Sequence, residues 1–352
     1  MKKAKKLLFS SLAIVLVFSM CFLAGCRRTA AAPADVGMGG SVERPHPLIS
    51  AQELMELIDS RDPNLVVIGV IDPAHEANPQ NVSSRPIAGS FLVWRPDYSA
   101  AGSVEAIARE IVGIRRPRSD MELLLSRAGV TPNSLVVVYG GHVMQDAARV
   151  FWQLRVLGIE NARMLDGGLV AWDAAGFPTG TAVRLAQQLP TVRFNAPNYA
   201  PSHFAVNLYQ VRDALLNPDE WVVIDTRSPG EFNGGNAPGM AGAFGTGRMA
   251  GSVNQNWITA VDPNTMIMRS PEELLAIYGD IIRGRNVIAH CVVGVRSAHT
   301  WFVLSEVLGI PNVYLHGGGW VEWSFAASEI SGERWPEILA MVEEWTDNGG
   351  PL

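Results

Sequence analysis

"VVVYGGHVMQDAARVFWQLRVLGIENARMLDGGLVAW", Val136–Trp172, lies without a gap over "VIAHCVVGVRSAHTWFVLSEVLGIPNVYLHGGGWVEW", Val287–Trp323, at an offset of 151 residues. In that register Leu157-Gly158-Ile159 falls on Leu308-Gly309-Ile310, Asn161 on Asn312, Gly167-Gly168 on Gly318-Gly319 and Trp172 on Trp323. Self-similarity of this extent at one fixed spacing means that the chain is a duplication of a single unit. Ile87-Ala88-Gly89-Ser90 echoes Met249-Ala250-Gly251-Ser252, and "LVVIGVID" (Leu65–Asp72) echoes "EWVVIDTR" (Glu220–Arg227), so the duplication extends upstream of the two long segments.

Within each unit, short apolar runs of strand length (Leu65–Ile71 and Leu135–Tyr139; Trp221–Ile224 and Asn286–His290) alternate with helical segments such as Ala51–Asp59 and Ala298–Leu308. Continuous apolar runs suit strands buried on both faces, and their alternation with helices predicts an α/β fold with a parallel sheet flanked by helices in each unit. The expected domains are 45–180 and 204–346, joined by a linker over 181–203 rich in Pro, Asn and Gln. In this architecture ligands sit beyond the carboxyl ends of strands, beside helix N-termini.

The amino terminus has a separate logic. MKKAKK followed by LLFSSLAIVLVFSMCFLAGC has the basic start and apolar run of an export signal. Its end, Leu23-Ala24-Gly25-Cys26, resembles the bacterial lipobox, which implies a signal peptide over 1–26, lipidation at Cys26 and an extracytoplasmic protein anchored to a bacterial membrane. Cleavage near Ala30-Ala31-Ala32, or retention of the segment as an anchor, would be the alternatives. Residues 27–44, rich in Ala, Gly and Pro and without apolar periodicity, form a tether.

Of the three cysteines, Cys21 leaves with the signal and Cys26 carries lipid, so Cys291 is the single free thiol and no internal disulfide forms. Stability must come from an apolar core, which the chain is long enough to bury. A formal charge of −6 that already includes the basic leader, with no basic cluster, argues against nucleic acid. No metal-ligand cluster, phosphate loop or dinucleotide fingerprint is present, and Gly317–Gly319 lacks the spacing of one; no cofactor is expected.

Cys291 falls between the Asn286–His290 strand and a helix expected to start near Ser297. A short loop containing Gly294 can turn its amides inward, the helix adds the positive end of its dipole and Arg296 adds full charge, an environment that favours thiolate. The cysteine by itself is equally compatible with a buried structural role.

The surrounding motifs carry more. Cys-Val-Val-Gly-Val-Arg-Ser (291–297), then Leu-Gly-Ile-Pro-Asn-Val and Gly-Gly-Gly-Trp-Val-Glu-Trp, resembles the active-site loop and carboxyl-terminal signature of rhodanese-family sulfurtransferases. Asp225-Thr226-Arg227-Ser228-Pro229-Gly230-Glu231-Phe232 resembles that family's Asp-x-Arg-x-x-x-Glu-Tyr/Phe segment, and Arg248–Asn254 its Gly-His-Ile-x-Gly-Ala-x-Asn segment. The resemblance spans about 45–340 and implies two tandem rhodanese-like domains with a catalytic cysteine in the second alone: Gly140 stands opposite Cys291, and Gln145 opposite Arg296. It implies transfer of a sulfane sulfur from thiosulfate or a mercaptan donor, through a Cys291 persulfide, to cyanide or a thiol, with a thiol reductant protein as a further partner. Val292, Val293, Gly294, Val295, Arg296 and Ser297 would hold the persulfide, Arg227, Arg248 and Trp320 would line the substrate site, and Asp225 would brace it.

This chain departs from the family pattern at Val292-Val293, where a basic residue is frequent, at Arg248, where histidine is frequent, and at His316-Gly317-Gly318-Gly319-Trp320, where Asp-Gly-Ser/Gly-Trp is frequent. Less charge at the mouth would favour an organic thiol or persulfide over thiosulfate. Two other functions remain open: a non-catalytic sulfur-binding or docking module, and a phosphatase of the same fold, whose loops place five residues between Cys and Arg where this chain has four.

Overall fold

The computed structural model describes residues 46–71, 82, 85–100, 111–142, 144–180, 184–185, 192–234, 243–327 and 342–347. The signal segment, Cys26 and the tether lie outside the described residues, and the linker is described in part. Among the described residues no helix is long and apolar enough to cross a membrane, and no His/Cys/Asp/Glu group could hold a metal ion.

Each repeat builds a parallel sheet. In the first, the order across the six-stranded sheet is Leu48–Ile49, Ala162–Leu165, Leu135–Tyr139, Leu65–Ile71, Phe91–Trp94 and Arg184–Leu185. The second has five strands in matching order: Ala205–Val206, Val313–His316, Asn286–His290, Trp221–Asp225 and Val253–Asn254. All strand pairs of both sheets are parallel. The central strands are buried almost throughout, as both-face coverage by helices requires.

Helix starts follow from side chains. Ser50, Ser228 and Ser270 each accept the N–H of a glutamate three residues on, whose carboxylate returns to the serine. The segment expected to be helical from Ala298 to Leu308 begins earlier, at Val295, and changes at Phe302–Val307 into a π-helix.

The repeats share a core. Helix Gln145–Val156 packs on Val295–Trp301 and its π-helical continuation, and equivalent positions meet there: the rings of Phe151 and Phe302 are edge-to-face at 4.8 Å. Arg155 donates to Glu306 through Nε and Nη2 at 3.0 and 2.9 Å, with the two side chains 1 % and 6 % exposed. A second patch joins Asp166, whose carboxylate accepts the Met268 N–H at 2.8 Å, to the Trp257–Met268 stretch. The linker's described stretch from 192 on is tied to the first repeat: Phe194 and Ala196 are buried, and their N–H groups donate to Ser126 and Glu122.

Candidate active site

Cys291 follows the central strand of the second sheet and is wholly buried. Gly294 takes φ +77° there, and a Cβ on it would sit 2.7 Å from the Gly317 carbonyl oxygen, so this turn needs glycine. The opposite wall comes from helix Gly319–Ala327. Gly319 has φ +56°, and a Cβ on it would lie 2.5 and 2.6 Å from the carbonyl oxygens of Cys291 and Val292. The N–H groups of Trp320 and Val321 donate to those same oxygens at 2.7 and 3.1 Å. Close backbone approach explains Gly319, and the Glu322 side chain fills the space beside Gly318, without a nucleotide.

The thiol faces donors. Ser297 Oγ lies 3.6 Å from Sγ, and the Ser297 and Val293 amides of the same loop favour the thiolate. Burial, the largest single influence, pushes the Cys291 thiol up; Arg296, Ser297 and Val293 together outweigh it and hold the thiol below its ordinary value.

Arg296 is fixed by a bidentate pair with Glu231, Nη1–Oε2 2.7 Å and Nη2–Oε1 2.8 Å. Glu231 also accepts from the Ser228 N–H and hydroxyl, so the cap of the short Pro229–Phe232 helix anchors the loop's cation. Arg227 donates to Asp225 (Nη2–Oδ2 2.6 Å) and to the Gly247 carbonyl at 2.8 Å, and lies 4.9 Å over the Trp320 ring. Trp320 in turn donates through Nε1 to the Gly245 carbonyl at 2.9 Å. Asp225, Arg227 and Trp320 thus lock the strand Gly245–Met249 to the loop. Arg248, on that strand, stacks over Phe232 at 4.9 Å.

His290 and Asp225 are register partners on adjacent strands, with Nε2 and Oδ2 3.7 Å apart. Burial drives His290 down to about 4, against the pull of Asp225, so it is neutral near pH 7. Burial likewise drives His299 down to about 4. His316 pairs with Glu322 at 2.8 Å, both buried, which gives the residue at the frequent Asp position a partner on the following helix.

Val292 and Val293, expected to lower the charge at a mouth, are instead 6 % and 8 % exposed and belong to an apolar cluster with Ile111, Ile114, Val206 and Trp320. They seal the loop against the first repeat, so their apolarity reflects packing. Of the site residues read from the sequence, Cys291, Val293, Arg296 and Ser297 converge on the sulfur, whereas Asp225, Arg227 and Trp320 brace the loop. Glu231 is a site residue that the sequence signals only through Ser228-Pro-Gly-Glu231, which has the spacing of a capping box.

The fold and loop define a rhodanese-type protein, and comparison with known proteins agrees: the rhodanese-like domain model matches residues 47–175 and 209–326. The chain belongs to the rhodanese family, with two such domains in tandem. It is 32 % identical over 204 residues to a thiosulfate sulfurtransferase of Corynebacterium glutamicum, covering 57 % of this chain and 66 % of that one. To the sulfur carrier protein TtuD of Thermus thermophilus it is 30 % identical over 217 residues, 57 % of this chain and 71 % of the relative. The crystal structure of SseA from Escherichia coli, a 3-mercaptopyruvate sulfotransferase, superposes with TM-score 0.61 at 25 % identity, over 79 % of this chain and all of that one. Sulfur transfer is the activity that the family supports in general.

Proposed function

We propose that this protein is a sulfurtransferase whose nucleophile is Cys291. The observation that carries the reading is a buried sulfur with the Ser297 hydroxyl 3.6 Å away, in a loop whose Arg296 charge and Ser297 and Val293 amides favour the thiolate. With thiosulfate, the Cys291 thiolate attacks the outer sulfur. A new sulfur–sulfur bond forms as the donor's own sulfur–sulfur bond breaks, and sulfite leaves with the electron pair. Cyanide or an acceptor thiolate then attacks the terminal sulfur of the persulfide, and Cys291 departs as thiolate, ready for the next cycle. The same donors that hold the thiolate hold the anionic persulfide, in the manner of an oxyanion hole. A mercaptan donor would enter the same cycle, and the relative named a sulfur carrier protein supports sulfur being held on the protein between the two half-reactions.

Purified protein lacking the leader should transfer sulfur from thiosulfate or a mercaptan donor to cyanide or a thiol, and intact mass after donor alone should show the gain of one sulfur atom. Cys291→Ser should abolish both; activity persisting in that variant would refute the assignment. The amino terminus adds a location: lipid on Cys26 would hold the enzyme outside the cytoplasmic membrane, with 27–44 as tether. Fractionation with labelled fatty acid tests it, since Cys26→Ala should release unlabelled protein; a wild type that is unlabelled overturns it.

A further inference from the structure

The catalytic loop is held from two sides, and one hold comes from the other repeat. Arg149, on helix Gln145–Val156, is wholly buried, with its guanidinium 4.7 Å over the Trp152 ring. It donates through Nη1 to the Gly294 carbonyl at 3.3 Å and through Nη2 to the Gly113 carbonyl at 3.1 Å. The second contact secures the segment that covers the loop, because Gly113 packs directly on Val293 and no Cβ could be fitted between them. Three stretches far apart in sequence therefore meet on one guanidinium: the first-repeat helix, the Ile111–Arg115 cover and the turn of the Cys291 loop.

The Gly294 peptide sets the aim of the loop. Its carbonyl accepts from Arg149, and the amides that flank it in the loop, Val293 before and Ser297 after, both favour the Cys291 thiolate. A planar cation bonded to two carbonyls fixes both distance and angle, which a point charge does not. The offset of the duplication puts Thr300 opposite Arg149, so the second repeat has no equivalent arginine of its own.

We infer that Arg149 is a positioning residue for the Cys291 chemistry: from the repeat without a cysteine, it pins the Gly294 carbonyl and so keeps the loop donors on the sulfur. This inference rests on the proposed sulfur transfer, but the thiol can be interrogated without it.

The test uses the full chain, with Arg149→Lys and Arg149→Met. The rate of Cys291 alkylation by iodoacetamide is followed against pH, alongside kcat and KM for thiosulfate with cyanide. Both variants should shift the alkylation midpoint to higher pH and lower kcat, by about ten- to a hundredfold for methionine, the range expected for losing hydrogen bonds to a charged group. The KM for donor should stay within about twofold, because uniform donor binding is untouched. Lysine keeps the stem and charge but serves one carbonyl, so it should fall between wild type and methionine; being the milder change, it decides the matter should the methionine variant not fold. A wild-type midpoint in the lysine variant would overturn the inference, even with a lowered melting temperature, since an arginine that merely glues the interface would leave the thiol's titration in place. Should sulfur transfer be absent from the wild type, a shifted midpoint would still sustain the positioning role while the proposed reaction fell.

Discussion

After its central strand, each half of the molecule docks its last helix in the same way. Leu169 donates its N–H to the Gly140 carbonyl at 3.0 Å, as Trp320 does to that of Cys291 at 2.7 Å, and Gly168 (φ +53°) reproduces Gly319 (φ +56°). The side chains set into this common frame are opposite in character. Where the second half has Cys291, Arg296 and Ser297 around a site for an anion, the first has Gly140, Gln145 and Asp146. Asp146 places a carboxylate at the Ser297 position, buried and tied to Arg95 at 2.7 Å and to the Tyr98 hydroxyl. Thus the first repeat carries a buried carboxylate, already paired, at the position where the second has the Ser297 hydroxyl. The shared docking of the helix leaves the chemistry to the side chains, and these differ at all three positions.

The strongest way to break this comparison is to revive the first repeat. In a Cys291→Ser background, Gly140→Cys/Gln145→Arg should show no detectable transfer, because Asp146 would stand beside the new thiol and oppose its ionisation. Adding Asp146→Ser should lower the pH midpoint of its alkylation; if the double variant already matched the wild-type midpoint, Asp146 would be irrelevant.

Next in size is the seam between the halves. Arg155→Met leaves Glu306 buried without its cation and should lower stability by about 3–5 kcal/mol in urea melts. Arg155→Met/Glu306→Leu, which removes both charges, should recover most of that loss.

Acid should unfold the protein by way of the second half. His290 and His299, held at about 4 by burial, take up protons in the unfolded chain at about 6.5. Between these values the unfolded state binds more protons, so their contribution is intact above about pH 6.5 and drains away as pH falls toward 4, on the order of 3 kcal/mol per histidine. Asp225 and Glu231, whose carboxyls lie below their ordinary values, add a loss at still lower pH. Denaturant midpoints at pH 7 and pH 5 check the direction.

The smallest contrast is Arg296→Met against Gln145→Met. The first should raise the thiol midpoint and cut transfer about ten- to a hundredfold, near 1.4–2.8 kcal/mol; the second should alter neither quantity.

The features that were plain in the sequence are local. The ungapped match of the two long segments, the apolar runs that became central strands, and the position of Cys291 after one of them all depend on short-range periodicity and turn chemistry. The roles of Val292-Val293, Glu231 and Arg149 depend on what lies across the fold. Two valines beside a cysteine look like an altered mouth until Ile111 and Ile114 are seen to share their cluster. Arg149 occupies an ordinary position on a helix buried almost all round, and nothing nearby in sequence names the Gly294 carbonyl 145 residues away. Glu231 was within reach through its capping box, but its pairing with Arg296, 65 residues on, was not.

The contacts Phe151–Phe302 and Arg155–Glu306 each join a position to its own counterpart in the other repeat. That is the signature of a two-fold axis running between the helices, as in a dimer of identical chains. Such a dimer has no freedom at its axis: whatever residue stands there faces a copy of itself, and an arginine would face an arginine. Joining the two copies in one polypeptide lifts the constraint, letting a phenylalanine pair stay symmetric while the neighbouring pair becomes opposite charges. It also lets one copy give up its nucleophile and contribute an arginine that the other copy lacks. In this molecule the fused halves differ at equivalent positions where two identical chains could not.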